Sequence, residues 1–231
     1  MKINITIPES LKEIKVKDYQ KYMDIVEANK DADNDDFLTL KLIEIFCGVK
    51  LSDVYQMPIS DVEDITAIIG KTFQEDYKFK NRFTIDNIEY GFIPNLEDLS
   101  VGEYADINNY LGDIQNLHKA LAVLYRPITE KSGDLYRIED YEGSDKYSGA
   151  MKYAPLDIAL ASQVFFYLLG IELLNSTADY LEAEMTNNPT LQNLISDANG
   201  AGMESFTQSL KEICNSLKLP NVPTYTKHLH G

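Results

Sequence analysis

The chain has 231 residues, of which 25% are charged and 44% hydrophobic, and its formal net charge is −16 at pH 7. This composition is that of an ordinary globular protein and differs from that of a disordered chain. Because 37 acidic residues stand against 21 basic ones, the surface repels phosphate groups, and the sequence lacks the Lys and Arg clusters that nucleic-acid binding needs. We therefore expect neither nucleic acid nor an anionic membrane as a partner; a basic partner suits the charge better.

The sequence shows no sign of export or membrane insertion. Its start, MKINITIPES, lacks the apolar run and the cleavage site of a signal peptide. The most hydrophobic segment, residues 158–171, runs for 14 residues, short of the ~20 that a membrane-spanning helix needs. Cys47 and Cys214 lie in apolar or amphipathic segments, which favours two buried thiols over a disulfide framework. These features predict a soluble protein of a reducing, intracellular compartment.

The first 28 residues predict a β-hairpin followed by a helix. Apolar and polar residues alternate from Ile3 to Ile7, which is the pattern of a half-buried strand. After a short turn, the alternation resumes at Ile14 and Val16. Residues 17–28 then carry apolar side chains at helical spacing, so we expect a short helix there.

An acidic loop, NKDADNDD, separates this helix from the next. Asp31, Asp33 and Asp35 occupy the first, third and fifth places of an EF-hand loop, which makes calcium binding one interpretation. Two required features are missing, because Asp36 replaces the glycine of the sixth place and Leu42 the glutamate of the twelfth. The sequence therefore favours a solvated loop in which Asp35 or Asp36 caps the following helix.

Three further helices are marked by their ends and their apolar stripes. The first ends at Gly48, a residue suited to a helix C-terminus. The next begins with a capping box at Ser60 and Glu63, in which each side chain satisfies a free amide. Its apolar stripe consists of Val62, Ile65, Ile69 and Phe73. A second capping box, at Ser100 and Glu103, opens the third helix. The stripe of that helix consists of Tyr104, Ile107 and Leu111.

A predicted β-hairpin organises the middle of the chain. Phe83 and Ile85 fall on one face of its first strand, and Asp86-Asn87 supplies a two-residue turn. In this register Ile85 lies opposite Ile88. Phe83 likewise lies opposite Tyr90, so that one face of the hairpin is apolar and aromatic.

Glycine and proline set the boundaries of the elements that follow. Gly91 and Pro94 are expected to end the second strand. Asp113 is placed to cap a helix whose leucines keep three- and four-residue spacing. That helix must stop at Arg126-Pro127, because proline cannot continue it.

Residues 128–139 predict a last hairpin, with its turn at Gly133-Asp134. The connection that follows is acidic and rich in tyrosine. The tyrosines of this region are Tyr136, Tyr141, Tyr147 and Tyr153. They form either an interaction face, since tyrosine combines apolar area with a polar tip, or a rim that covers the core.

Pro155 stands at the expected first position of a long helix that runs to about residue 181 or 183. Between residues 158 and 171 this helix is apolar on nearly every face, which is typical of a central, buried helix. We expect it to form the core together with the helix at 113–126, closed at one end by the aromatic hairpin. The predicted fold is α+β, predominantly helical, with two or three short hairpins and a long buried helix near residues 155–181.

The sequence contains no recognisable catalytic motif. It lacks a glycine-rich phosphate loop and a nucleophile elbow. His118 lies beside an apolar stripe and has no partner at motif spacing, which favours a locally hydrogen-bonded histidine over a metal ligand or general base. His228 and His230 make up only half of a tetrahedral ligand set. We therefore expect no catalytic residue, no metal and no other cofactor.

Three stretches carry a family resemblance: GFIPNLEDLSVGEYADI, LHKALAVLYRP and YAPLDIALASQVFFYLLGIELL. They resemble an uncharacterised protein family encoded by tailed bacteriophages, which is associated with tail assembly chaperones and other virion morphogenesis proteins. The resemblance extends from INITIPESL to about Ala183. It implies a binding function without catalytic residues, because such chaperones hold extended or immature tail proteins.

The resemblance leads us to expect a non-enzymatic phage morphogenesis protein, in the first place a tail assembly chaperone that binds a tail protein before assembly. The alternative is a virion structural component, such as an adaptor, ring or completion protein. The expected partner is a tail tube protein, a tape-measure protein or a neighbouring ring subunit, with self-association left open. The expected location is the host cytoplasm, or the virion for the alternative.

The partner-binding residues are predicted within the central stretch of the chain. They are Tyr90, Gly91, Phe92, Pro94, Tyr125 and Arg126. Residues 1–183 are expected to form one α+β domain with an N-terminal hairpin. Residues 184–231 are expected to form a helical extension and tail, which docks either on its own domain or on a partner.

Overall fold

The structure, a computed structural model, describes residues 5–31 and 35–187. Its helices are α1 (Val16–Ala28), α2 (Asp35–Phe46), α3 (Leu51–Val54), α4 (Ile59–Thr72), α5 (Val101–Tyr110), α6 (Leu117–Leu124), α7 (Asp145–Met151) and α8 (Leu156–Asn187). Its strands are β1 (Arg82–Ile85), β2 (Ile88–Phe92), β3 (Tyr125–Ser132) and β4 (Leu135–Ile138). Short 3-10 turns lie at Leu96–Asp98 and Ile114–Asn116. The predicted α+β fold, predominantly helical, is confirmed.

The chain divides into two compact units, residues 1–161 and 162–231. All four strands and helices α1 to α7 belong to the first unit. The tail predicted beyond residue 184 lies, apart from the last residues of α8, outside the described residues. Cys214, His228 and His230 also lie outside them.

The strands form one antiparallel sheet in the order β1-β2-β3-β4. The register predicted for the first hairpin is confirmed, with Phe83 opposite Tyr90 and Ile85 opposite Ile88. Asp86-Asn87 forms the turn with φ angles of +48° and +66°. Asn and Asp adopt this left-handed conformation more readily than other non-glycine residues, which is why the pair suits a two-residue hairpin.

The sequence predicted that Gly91 ends β2, but Gly91 lies within this strand. The ring of Tyr136 covers Gly91 so closely that a Cβ there would lie 2.4 Å from Tyr136 Cε2. The same Cβ would lie 3.0 Å from Ile128 Cγ1. The Tyr136 hydroxyl donates a hydrogen bond to the carbonyl of Phe92 at 2.8 Å, which fixes the ring in this position. Glycine is therefore required here by close packing.

Helix α6 ends at Leu124, two residues before the predicted stop, because Tyr125 and Arg126 already belong to β3. The residue before a proline avoids the helical conformation, so the effect of Pro127 reaches back to Arg126. Tyr125 is fully buried, and its ring meets that of Phe92 at 5.2 Å between centroids. Sheet pairing and aromatic packing thus outweigh the helical spacing of the sequence.

The last hairpin is confirmed. β3 and β4 are joined by the predicted Gly133-Asp134 turn, with Gly133 at a φ of +62°. The register shifts between Ile128 and Glu130, which makes a β-bulge in β3. This bulge lies next to the cleft described below.

The predicted N-terminal hairpin is wrong for the residues that the structure describes. Residues 5–14 form no strand. Ile5 and Ile7 pack instead against the helical core of α2, α3 and α4, whose buried members are Ile43, Val54, Ile65 and Ile69. The backbone around Lys15 bridges to Pro155 at the start of α8. The alternating residues therefore pack on helices and do not form the predicted hairpin.

The two predicted capping boxes differ in outcome. The box at Ser60 and Glu63 is wrong, because α4 begins at Ile59 behind Pro58 and Ser60 lies inside the first turn. The box at Ser100 and Glu103 is confirmed. The helix that follows it buries Ile107 and Leu111 but leaves Tyr104 60% exposed, so Tyr104 is not part of its buried stripe.

Helix α6 lies at the centre of the first unit. Leu117, Leu121 and Leu124 are at most 1% exposed, and the helix contacts α1, α5 and α7. At the start of α8, Leu156 and Ile158 are equally buried. The prediction that these two helices supply core residues is confirmed.

Candidate functional site: a charged cleft beside the sheet

A cleft of about 880 Å³ opens beside β3 and β4. One wall is the segment from Ile93 to Glu103, which follows β2. The opposite wall is formed by the bulge of β3, by β4 and by the loop that leads to α7. β-Bulges often lie next to functional sites, because they redirect side chains.

Arg126 forms the buried base of this cleft. Its guanidinium donates from Nη1 to Glu103 Oε1, and both side chains are only 8% exposed. Glu103 also receives the backbone amide of Ser100 at 2.8 Å and its hydroxyl at 2.7 Å. The capping box that starts α5 therefore also orients the carboxylate that neutralises Arg126.

The environment of Glu103 keeps it ionised. Burial acts to raise the pKa of this carboxyl group, but the hydrogen bonds from Ser100 and the charge of Arg126 outweigh burial. The pKa of Glu103 is therefore lower than its ordinary value. At neutral pH the base of the cleft holds a charged, mutually compensating pair.

Arg126 has hydrogen-bonding capacity left over. Its guanidinium carbon lies 5.5 Å from the centre of the Tyr141 ring, a cation–π contact. Tyr141 in turn donates its hydroxyl to Asp106, and burial followed by this bond raises the pKa of the phenol. The Nε of Arg126 is buried and has no acceptor among the described residues.

A second charged cluster lies on the rim. Lys146 donates to Glu139 at 3.0 Å and to Glu142 at 2.9 Å. Tyr147 donates its hydroxyl to Glu139, and this bond, followed by that from Lys146, lowers the pKa of the Glu139 carboxyl. Lys146 thereby joins the two ends of the acidic loop before α7.

The lining as a whole is acidic. Its three basic groups are Arg126, Arg137 and Lys146. Its six carboxylates are Asp98, Glu103, Glu130, Glu139, Asp140 and Glu142. The described residues of the cleft therefore carry a formal charge of −3.

The structure places the predicted partner-binding residues in two environments. Tyr90, Phe92 and Tyr125 are buried in the sheet and its aromatic core, and Gly91 lies beneath Tyr136. Pro94 and Arg126 both line the cleft. Five of the six lie on the paired strands β2 and β3, with Gly91 opposite Arg126 and Phe92 opposite Tyr125, and Pro94 follows β2. Their role in partner binding stays a prediction, and Pro94 and Arg126 are the members that face the cleft.

The sequence did not reveal the ion pair between Arg126 and Glu103. The capping box marked Glu103, and the proline boundary marked Arg126, but no local pattern relates two residues 23 positions apart. The rim cluster around Lys146 was missed for a different reason. A chain with 37 carboxylates places acidic groups near basic ones at many positions.

His118 is buried rather than lying on a helix flank. Its Nδ1 lies 3.0 Å from Nε2 of Gln20 in α1, so the bond links distant segments and is not local as predicted. Burial, followed by the charges of Lys152 and Lys119, lowers the pKa of the imidazole. His118 thus connects α6 to α1 in its neutral form.

The four tyrosines of the last hairpin and its connection do not share one role. Tyr136 packs on the sheet, and Tyr141 and Tyr147 donate to carboxylates of their own chain. Tyr153 is 49% exposed, and the centre of its ring lies 4.3 Å from Lys17 Nζ. The first three are half-buried, which favours the interpretation of tyrosines that cover the core.

Comparisons of the chain with protein-family models, with curated proteins and with solved structures find no match. In the described ranges, every helix is too short or too polar to span a bilayer. Within the same ranges, no three His, Cys, Asp or Glu side chains are grouped as a metal ion would require. Asp33 of the acidic loop lies outside the described residues, and Leu42 lies within α2.

Proposed function

We propose that this chain is a non-enzymatic phage morphogenesis protein, a tail assembly chaperone that binds a tail protein in the host cytoplasm before assembly. The resemblance of its sequence to phage proteins suggests the setting. The charged cleft beside the sheet is the observation that carries the proposal, because it offers a site for a polypeptide.

The lining of the cleft supports a polypeptide over a small molecule as the ligand. Pockets for small molecules are mostly apolar, with a few polar groups that orient the ligand. Here nine of the 16 lining residues are charged. A segment of a protein chain, with its own charges and backbone dipoles, matches such a surface better.

The chemistry of the lining supports binding over catalysis. Among the described residues that line the cleft, neither histidine nor cysteine occurs. The hydroxyl of Ser100 takes part in the capping box, where it accepts the amide of Glu103 at 3.2 Å. A nucleophile needs a neighbouring base that is free to take its proton, and the carboxylate of Glu103 is engaged by Ser100 and Arg126.

The edge of the sheet offers a second contact for the same partner. β4 is an outer strand, and Leu135 on it is 79% exposed. An outer strand can accept an added strand through its free backbone groups. Since Arg137 and Ile138 of β4 also line the cleft, one extended segment can contact both.

The test combines mass spectrometry of purified virions with a pull-down from infected cells that uses this protein as bait. The proposal predicts that the chain is absent from virions and captures a tail tube or tape-measure protein. Presence in virions at a fixed copy number that matches a ring symmetry contradicts it, and favours the alternative of an adaptor, ring or completion protein.

A further inference from the structure

We infer that the cleft binds a basic, extended segment of the partner protein, with its Lys or Arg side chains at Glu130 and Asp140 and a backbone carbonyl at Arg126. This inference rests on the proposed function, since it names the chemistry of the partner at the same site. It requires that the cleft offer uncommitted negative charge at its rim and an unused donor at its base.

The uncommitted charge lies at two positions of the rim. Of the other four carboxylates, Asp98 accepts a hydrogen bond from the side-chain amide of Asn95 at 2.8 Å. Glu103, Glu139 and Glu142 are each held by a cation of their own chain at 3.0 Å or less. Glu130, by contrast, lies 3.6 Å from Arg137 in a pair whose side chains are 70% and 78% exposed. Such an exposed pair is weak and opens readily.

Asp140 is the second uncommitted carboxylate. It is exposed and lines the cleft, and the described part of the chain gives it neither an ion pair nor a side-chain hydrogen bond. With Glu130, it offers a cationic side chain two acceptors that no strong internal contact occupies.

The unused donor is Arg126. Its side chain is more than nine-tenths buried, it lines the cleft, and the described residues accept a hydrogen bond from only one of its guanidinium nitrogens, Nη1. Buried donors without acceptors are rare in folded proteins because they are costly. An oxygen of a bound ligand would complete the hydrogen bonding of this guanidinium.

The charge of the lining determines which kind of ligand oxygen can accept the hydrogen bond from Arg126. A carboxylate or phosphate at Arg126 would approach six carboxylates, and like charges in a partly buried site repel strongly. A backbone carbonyl is neutral and accepts the same hydrogen bond. An extended basic segment therefore supplies a carbonyl acceptor to Arg126 at the base of the cleft and cationic side chains to Glu130 and Asp140 at its rim.

The first experiment measures binding of a fluorescein-labelled Lys-Ala repeat peptide of about ten residues, a length typical of a long strand, to the full-length chain by fluorescence anisotropy. The rim variant Glu130→Gln/Asp140→Asn is compared with Glu63→Gln/Asp64→Asn on α4, whose two carboxylates are also exposed. Both variants lose the same net charge. Unspecific attraction to the acidic chain would therefore change equally in both.

We expect the rim variant to bind the peptide about tenfold more weakly than the wild type, as the loss of two exposed ion pairs implies. The α4 variant should change the affinity less than twofold. Equal weakening by both variants, or no measurable binding to the wild type, would overturn the inference.

A second variant tests the donor at the base. Arg126→Lys keeps a positive charge that can pair with Glu103 but removes the other guanidinium donors. We expect weaker peptide binding with no loss of helical circular dichroism. Spermine, a polyamine without carbonyl groups, should keep its wild-type dissociation constant, measured by its competition with the labelled peptide. Unchanged peptide affinity in this variant would refute the contact with a backbone carbonyl.

The pull-down separates this inference from the proposed function. If wild type and rim variant capture the same tail protein equally well, the proposed function stands and the cleft inference fails. If neither captures a tail protein, the proposed function fails. Only reduced capture by the rim variant, with normal capture by the α4 variant, supports both.

Discussion

Gly91→Ala is expected to destabilise the protein, because it directly opposes the packing of β4 onto the sheet. The new Cβ would lie 2.4 Å from Tyr136 Cε2 and 2.8 Å from Cδ2. The ring must therefore move by about 1 Å to restore ordinary contact. That movement weakens the hydrogen bond that the single proton of the Tyr136 hydroxyl shares between the carbonyls of Phe92 at 2.8 Å and Asn81 at 3.1 Å.

The expected loss follows from these contacts. The weakened hydrogen bond costs about 1 kcal/mol, and overpacking adds about 2 kcal/mol. Replacing glycine returns roughly 0.4–1 kcal/mol through the unfolded chain. We therefore expect a net loss of about 2 kcal/mol, which corresponds to a shift of about 1 M in the midpoint of urea denaturation.

A double-mutant cycle assigns this loss to Tyr136. In a Tyr136→Ala background only Ile128 Cγ1 stays close to the new Cβ, at 3.0 Å, so Gly91→Ala should cost less than about 0.5 kcal/mol, giving a coupling energy of about 1.5–2 kcal/mol. Gly70→Ala in α4 is the matched control, because a Cβ there meets nothing within 4 Å. It should stabilise the helix by roughly 0.5–1 kcal/mol. A coupling energy below about 0.5 kcal/mol would refute the placement of the ring.

Three further perturbations test the core, the base of the cleft and the buried histidine. Leu121→Ala should cost about 3 kcal/mol in urea denaturation, since this side chain is fully buried in α6. Glu103→Gln should cost about 3 kcal/mol by the same assay, because it leaves the charge of Arg126 buried and unpaired; an unchanged midpoint would show that the pair is solvated. The lowered pKa of His118 means that the unfolded chain takes up a proton below about pH 6.5 before the folded chain does. The contribution of neutral His118 to the free energy of unfolding is therefore fully present above that pH, and it falls as the pH drops towards the folded-state pKa. His118→Asn should flatten the stability curve between pH 7.5 and 5.5, and a curve of unchanged slope would contradict this assignment.

The elements that the sequence predicted well are those whose causes are local. The register of β1 and β2 followed from Asp86-Asn87 and the alternation around it, since a two-residue turn fixes which residues face each other. The start of α5 followed from Ser100 and Glu103, which are three residues apart and satisfy each other's backbone amides.

The errors arose where distant residues decide the outcome. The leucine spacing of α6 gave no sign that Tyr125 leaves the helix, because the reason lies in its pairing with Phe92 on β2. The sequence predicts a strand end at Gly91, whereas a glycine is needed there because the Tyr136 ring from β4 packs on it. The alternation of Ile5 and Ile7 suits a strand, yet these side chains pack on helices.

The cleft itself was beyond prediction from the sequence. Its base joins Arg126 of β3 to Glu103 of α5, and its rim joins Glu139 to Lys146 across a loop. Each group is unremarkable in its own sequence neighbourhood. Only the pairing of β2 with β3 and of β3 with β4 brings these groups to one opening.

The most direct test of the proposed function is photocrosslinking from the cleft in infected cells. A photoreactive amino acid replaces Thr129, an exposed residue of the cleft lining beside Glu130, in one experiment and Glu63 on α4 in the other, and mass spectrometry identifies the cross-linked proteins. We predict that position 129 cross-links a tail tube or tape-measure protein through a lysine- or arginine-rich segment, and that position 63 does not. Cross-links to a tail protein from position 63 alone, or from neither position, would contradict the account.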